Sequence, residues 1–254
     1  MLQTCLIIIS RYNMISVCMA THNGEKYIKE QIESILPQLS ENDELIISDD
    51  GSSDRTLSII RQYDDSRIKL LQYIQPVKFT DHFAPHRYAS KNFENAIKHA
   101  NGDYIFPCDQ DDIWMPDKVS LCIKALENSI LVKHSGVRIT SEGHPMGKVS
   151  CSMPVSRHLL VNLYRLKIPG SHIAFRRELL KAALPFPFNT VSHDAWLGCL
   201  ASCLGKCTSL DDELIQYRIH DNNVSIHKQN SIVTQISYRM DLLLQIIKRL
   251  SRRK

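Results

Sequence analysis

The sequence predicts an α/β fold in which a mostly parallel central sheet is flanked by helices and followed by an amphipathic C-terminal helix. Three observations carry that prediction. Short apolar runs recur just ahead of polar turns, a helix-spaced apolar pattern follows each turn, and the two patterns alternate at the spacing that crossover connections need. Composition agrees: 254 residues, 43% hydrophobic and 23% charged, are enough for one sizeable core and exclude a disordered or collagenous chain.

Ile15–Met19 reads as a strand ending in the turn Ala20-Thr21-His22-Asn23-Gly24. The helix after it runs through Ile28, Ile32 and Ile35 and is stopped by Pro37. Glu44–Ser48, the turn Asp49-Asp50-Gly51-Ser52-Ser53 and a helix over Asp54–Tyr63 repeat the plan, and Ile68–Tyr73 is a third strand. After a loop rich in Pro, His and Phe, Asn92–Ala100 reads as a helix, Asn101-Gly102 as its stop and Tyr104–Cys108 as the next strand. Pro116 opens a helix over Asp117–Glu127, and Ile130–Ile139 contains a strand. Residues 140–170 have weak periodicity and read as a loop. Glu178–Ala183 and Asp194–Leu204 read as helices and Leu214–Ile219 as a strand. From Ser231, Ile232, Ile236, Met240, Leu243, Ile247 and Leu250 recur at helical spacing. The expected organisation is a domain over residues 14–230, a basic amphipathic helix over 231–254, and an extension over 1–13 that is either unstructured or an upstream misread start.

The formal charge of +4 divides unevenly. Residues 231–254 hold six Lys/Arg against one Asp, which leaves the rest of the chain at −1. A near-neutral body argues against a broad nucleic-acid-binding face. No apolar run approaches the ~20 residues of a membrane span. The eight cysteines show no CxxC pair or zinc-site spacing, and Cys199, Cys203 and Cys207 would line one helix face as buried thiols. A reducing cytoplasm is the simplest compartment.

Two acidic clusters each follow an apolar strand: Asp49-Asp50, and Asp109-Gln110-Asp111-Asp112. In open α/β sheets ligands bind outside the carboxyl ends of the strands, so these acids should converge on one crevice. Three carboxylates within four residues repel one another unless a cation offsets them, and hard oxygen ligands favour Mg²⁺ or Mn²⁺, ions that keep open positions for substrate phosphates. Asp49-Asp50-Gly51 read alone is equally well a turn and helix cap.

These segments resemble the inverting glycosyltransferases of family 2. The resemblance rests on Ile15-Ser16-Val17-Cys18-Met19-Ala20-Thr21-His22-Asn23-Gly24, on Leu45-Ile46-Ile47-Ser48-Asp49-Asp50-Gly51-Ser52-Ser53-Asp54, and on Gly102-Asp103-Tyr104-Ile105 leading to Asp109-Gln110-Asp111-Asp112-Ile113-Trp114. With Lys91-Asn92-Phe93 upstream, the Asp-Gln-Asp-Asp-Ile-Trp run is most similar to the rhamnosyltransferase-like members of bacterial polysaccharide synthesis. The resemblance implies the GT-A nucleotide-diphospho-sugar fold, a dTDP- or UDP-sugar donor and a lipid-linked glycan acceptor, as in O-antigen or capsule synthesis. It implies Mg²⁺ or Mn²⁺ as cofactor. It places Ala20, Thr21, His22 and Asp50 at the base and ribose, Asp109 and Asp111 at the nucleotide sugar, and Asp111, Asp112 and His220 at the metal. It makes Arg218 a phosphate contact and Asp194 the catalytic base that deprotonates the acceptor hydroxyl. Gly170-Ser171-His172 resembles the acceptor-side glycine turn. Asp194 read alone is equally a helix N-cap. His86, Arg87 and Lys91 read as solvated charges before the helix at Asn92.

The basic tail suits either an interfacial helix on the anionic cytoplasmic leaflet or a helix packed on the core. Two rival functions are a sugar nucleotidyltransferase, which needs a Gly-rich phosphate loop that residues 14–30 lack, and a non-catalytic nucleotide-sugar-binding subunit.

Overall fold

A computed structural model describes residues 13–149, 155–165, 169–221, 223 and 231–252. The elements run in the order β1 (Ile15–Thr21), α1 (Ile28–Ile35), β2 (Glu44–Asp49), α2 (Thr56–Ile60), β3 (Ile68–Gln72), α3 (Ala84–Lys98), β4 (Tyr104–Asp109), β5 (Ile113–Trp114) and α4 (Lys118–Leu126). They continue with β6 (Leu131–Ile139), β7 (Pro145–Val149), α5 (Leu159–Arg165), β8 (Ile173–Arg176), α6 (Leu180–Ala183), α7 (His193–Leu204), β9 (Cys207–Arg218) and α8 (Ile232–Ser251).

One sheet runs β3-β2-β1-β4-β8-β6-β9-β5, with β7 paired to β6. The first half, β3-β2-β1-β4, is parallel throughout. Its strands alternate sides in the way a sheet covered on both faces requires. Val17, Met19, Leu45, Ile47 and Phe106 face the layer of α1 and α4, whereas Cys18, Ile46 and Ile105 face α3, α7 and α8. The second half is mixed, because β8 runs antiparallel to both β4 and β6 while β6 and β9 are parallel.

Several boundaries differ from the sequence reading for identifiable reasons. α3 begins at Ala84 rather than Asn92, since Pro85 sits in its first turn, where the missing N–H costs nothing. His86, Arg87 and Lys91 are therefore helical residues, and Arg87 and Lys91 are paired with Asp81 and Glu94. α2 is confined to Thr56–Ile60 because the Asp54 carboxylate accepts from the Thr56 N–H and hydroxyl and from the Glu25 N–H, which fixes its start. The span read as a loop contains β7 and α5. Cys207 opens β9, so it does not continue the α7 face that carries Cys199 and Cys203. All six described cysteines are free thiols.

α8 packs on the body, burying Leu242 and Ile246. Much of the helix-spaced apolar stripe lies outward: Ile232, Ile236, Met240 and Ile247 are at least half exposed, together with Val233 and Leu244. Arg249 fixes the C-terminal turn, donating to the carbonyls of Ala182, Leu184 and Pro185 and lying over the Trp196 ring. Among the described residues no helix is long and apolar enough to cross a membrane. Residues 1–12 and the tail cations Arg253 and Lys254 lie outside the described residues.

Candidate active site

The parallel register brings three strand ends level: Thr21 of β1 lies opposite Asp49 of β2, and Ala20 lies opposite Asp109 of β4. The loops that leave these ends meet directly. Gln110 accepts from the Thr21 hydroxyl and the His22 N–H and donates 3.0 Å to the His22 carbonyl, tying the first loop to the acidic one. Gly24 lies against it, and a Cβ there would have to displace the Gln110 amide. His22 Nδ1 lies 2.7 Å from the Asp50 carbonyl. Ala20, Thr21 and His22 thus form the wall that the sequence reading assigned to the base and ribose.

The acids of the second loop separate by role. Asp49 closes its own turn by accepting from the N–H and hydroxyl of Ser52. Asp50 points away from that turn and accepts from Gln75 Nε2 at 2.5 Å. Burial raises the Asp50 carboxyl above the usual range. Thr21 is held from below, since its carbonyl accepts from Asp50 N–H and from Asn92 Nδ2.

Beyond β4 the carboxylates crowd a partly desolvated corner. The Asp109 carboxyl is pushed up to about 7, first by burial and then by the negative charges of Asp111 and Asp194. Asp111 lies 2.7 Å from His220 Nε2, an ion pair whenever that imidazole is protonated. Asp112 is fully buried; one oxygen accepts from the Arg218 N–H at 3.0 Å and the other has no hydrogen-bond partner. Burial and its two acidic neighbours push Asp112 well above the usual range. Lys118 is a buried cation of the corner, lowered to about 8 chiefly by desolvation; it donates 2.7 Å to the Ser171 carbonyl and sits over the Trp114 ring.

Two of the expected roles are corrected here. Arg218 is buried and already engaged: Nε donates to the Asp111 carbonyl, Nη1 to the Ser141 carbonyl and Nη2 to Glu30, while the group stacks on Tyr27. It braces the acidic loop and presents no free fork to a phosphate. Asp112 faces Arg218 rather than Asp111 and His220, so the three expected metal ligands are not brought together. Among the described residues no three His, Cys, Asp or Glu side chains converge on one point. The donors still suit a hard divalent ion: the Asp111–His220 pair, an adjacent Asp109 raised by burial and like charge, and a buried Asp112 oxygen without a hydrogen-bond partner mark a corner where a cation would favour the ionised acids.

The fourth wall comes from the opposite strand direction. Because β8 runs antiparallel to β4, its first residues lie at the acidic end of β4, and the turn Gly170-Ser171-His172 that precedes it enters the same corner. Gly170 is required by close approach: a Cβ would stand 2.6 Å from His193 Nε2. α7 starts at His193 with Ser192 as its cap, the Ser192 hydroxyl accepting from Ala195 N–H. Asp194 is therefore not the N-cap. It occupies the first turn, where the helix dipole favours a carboxylate, and accepts from Ala195 N–H and the Ser192 hydroxyl. Sequence reasoning does not single out Gln110 or Lys118; a lysine four residues before Cys122 on an apolar helix face was the available sign of a buried cation. A separate cleft of about 550 Å³, between Lys98, Asp103, Arg177 and Leu184, lies at the other end of β4 and holds none of the predicted residues.

Residues 16–184 match the family described as Glycosyl transferase family 2. The chain is 40% identical over 218 residues to the dTDP-rhamnosyl transferase RfbG of Shigella flexneri, covering 81% of this chain and 72% of that one. It is 28% identical over 226 residues to the Escherichia coli UDP-Glc:alpha-D-GlcNAc-diphosphoundecaprenol beta-1,3-glucosyltransferase WfgD, covering 87% and 83%. It spans 66% of an uncharacterised glycosyltransferase of Nostoc at 28% identity. In fold it is similar to Staphylococcus aureus TarS 1-349 in complex with UDP-GlcNAc, with a TM-score of 0.69 at 19% identity over 91% of this chain and 66% of that one. It is also similar to Mycobacterium tuberculosis glucosyl-3-phosphoglycerate synthase in complex with Mn²⁺ and UDP, with a TM-score of 0.56 at 20% identity over 94% and 78%. The strand-end loops, the acidic corner and the extent of the match lead to one conclusion: the chain is a member of glycosyl transferase family 2.

Proposed function

We propose that this chain transfers a sugar, with inversion, from a dTDP- or UDP-linked donor to a lipid-linked glycan acceptor in O-antigen or capsule synthesis. The observation that carries the reading is the meeting of two walls. The Thr21–His22 and Asp109–Asp111 loops form one, and Asp194 at the start of α7 stands close enough to Asp109 to raise its carboxyl. Asp50 receives the base N3–H, a donor that cytosine lacks. Asp194 removes the acceptor hydroxyl proton as that oxygen attacks the anomeric carbon from the face opposite the diphosphate. Asp111 and His220, with Asp109 beside them, would hold Mg²⁺ or Mn²⁺, and the ion supplies charge stabilisation to the departing diphosphate.

The 40% identical rhamnosyl transferase supports dTDP-rhamnose as the first donor to try, and the glucosyltransferase relative supports UDP-glucose as the second. Thermal stabilisation across a nucleotide-sugar panel with Mn²⁺ identifies the donor, since a ligand at 100 times its Kd adds about 2.7 kcal/mol. Asp194→Asn should abolish turnover while keeping that donor shift. Retained turnover would overturn the assignment of the base, and an enzyme fully active in excess chelator would overturn the metal.

A cytoplasmic location at the inner membrane face belongs to the same reading. α8 exposes Ile236, Met240, Leu244 and Ile247 beside Lys248 and Arg252, and Leu160 and Tyr164 of neighbouring α5 are exposed as well. An apolar stripe edged by cations suits an anionic lipid surface. Co-sedimentation with anionic liposomes should fall when Met240 and Leu244 are replaced by Ser; unchanged partitioning would sink the membrane contact. Removing α8 is the wrong control, because it also strips Leu242 and Ile246 from the core.

A further inference from the structure

We infer that Gln75, in the loop between β3 and α3, is a positioning residue that sets the Asp50 carboxylate for a pyrimidine N3–H. The inference rests on the reading of Asp50 as the base contact. The main chain of Asp50 is already held at both ends: its N–H donates 2.9 Å to the Thr21 carbonyl, and its carbonyl lies 2.7 Å from His22 Nδ1. What stays free is the side chain, whose torsions decide where the carboxylate points. Gln75 supplies the missing restraint, donating from Nε2 to Asp50 Oδ2 at 2.5 Å. Oδ2 is thereby taken, and Oδ1 is the oxygen left for the base.

The amide can meet Asp50 in one orientation only. Nε2 donates to Asp50 Oδ2 and, at 3.2 Å, to the Tyr88 carbonyl, which accounts for both of its hydrogens. Turned over, the amide would set its oxygen against a carboxylate and a carbonyl at once. Its other side shows what the observed orientation gives up, since Gln75 Oε1 is buried with no hydrogen-bond partner. Tyr88 makes the mount rigid: its phenol accepts from the Phe79 N–H at 2.8 Å and donates to the Phe79 carbonyl at 3.1 Å, and its ring centroid lies 5.4 Å from that of Phe79. The loop is fastened at its start as well, the Tyr73 N–H donating 2.7 Å to the Asp49 carbonyl. The hydrogen bond from Gln75 also favours the ionised carboxylate against the burial that raises it; of the charged neighbours, His22 acts with Gln75 and Asp49 acts against it. An ionised, aimed carboxylate accepts from uracil or thymine and finds no such donor at N3 of cytosine.

Gln75→Met removes the amide and keeps the length of the side chain. Titration calorimetry of the full chain with Mn²⁺ reads the effect, using whichever of UDP and dTDP binds tighter. Its Kd should rise about tenfold, while that of its cytosine counterpart, CDP or dCDP, stays within about twofold. A general loosening of the fold or of the diphosphate site would instead weaken both nucleotides alike. In an Asp50→Ala background Gln75→Met should change the Kd by less than about twofold, because the group it positions is gone. An unchanged Kd in Gln75→Met, equal losses for the two bases, or losses that simply multiply in the double variant would overturn the inference. So would tighter binding, which would make the amide a stand-in that the base displaces. Asp50→Ala separates the two levels: if it loses the preference for the N3–H base while Gln75→Met keeps it, the base contact stands and the role of Gln75 falls. If Asp50→Ala keeps the wild-type preference, both fall.

Discussion

Replacing Arg218 by Met tests whether this arginine braces the fold or touches the donor. The guanidinium donates to the Asp111 carbonyl inside the core and to the partly buried Ser141 carbonyl, pairs with Glu30 and stacks on Tyr27 at 4.7 Å. Stranding one buried and one partly buried carbonyl costs about 2–4 kcal/mol. The Glu30 side chain is 56% exposed, so that pair adds no more than about 0.5 kcal/mol after screening. The ring contact adds about 0.5–1 kcal/mol. A total near 3–5 kcal/mol lowers Tm by about 6–20 °C in a chain of this length. Differential scanning fluorimetry without ligand reads the shift, and Glu30→Gln serves as a control that should move Tm by no more than about 2 °C. An Arg218→Met protein with wild-type Tm and a raised donor KM would refute the bracing role and restore the phosphate contact.

Further expectations follow from the same corner. An acid whose folded pKa is raised contributes stability that is complete below its unfolded value near 4 and lost as pH rises through the folded value. With Asp109 pushed up to about 7, the metal-free protein should lose Tm between about pH 4 and about pH 7, and Asp109→Asn should flatten that slope; an unchanged slope would contradict it. Lys118→Met strands the buried Ser171 carbonyl, so the acceptor KM should rise more than the donor KM in initial-rate kinetics. Gly102→Ala places a Cβ 2.6–2.7 Å from the backbone of Met14, Ile15 and Ser16, and urea melts should report a loss of about 1–3 kcal/mol.

The parallel half of the sheet was readable because β1, β2 and β4 each carry an uninterrupted apolar run into a polar turn. β8 was not, since Ile173–Arg176 is too short to show a period. In β9 the exposed acids Asp211, Asp212 and Glu213 break the pattern, and the pairing with β6 shifts register beside them. Position along the chain was enough to bring Thr21, Asp50, Asp109 and Asp111 to one edge. It could not show that the Arg218 fork was already taken or that Asp112 accepted from the Arg218 backbone N–H. Nor could it orient α8, whose apolar residues cover more than one side; only the partners waiting on the body select Tyr238, Leu242 and Ile246 as the inward set.

The reversal of strand direction at β8 has a consequence for how such a chain can change. The loops of the β1, β2 and β4 ends are built by the first 112 residues, whereas the glycine turn and Asp194 arrive from the opposite direction and later in the chain. On the proposed function, donor and acceptor recognition fall on separate stretches of sequence, which meet at the seam between β4 and β8 and where Arg218 and His220 reach back to the acidic loop. The pairing of Tyr104 and Ile105 with Arg176 and Phe175 is where the reversed strand joins the parallel half. On that reading, change in the later stretch can alter the acceptor while the strand-end loops that face the nucleotide sugar stay as they are.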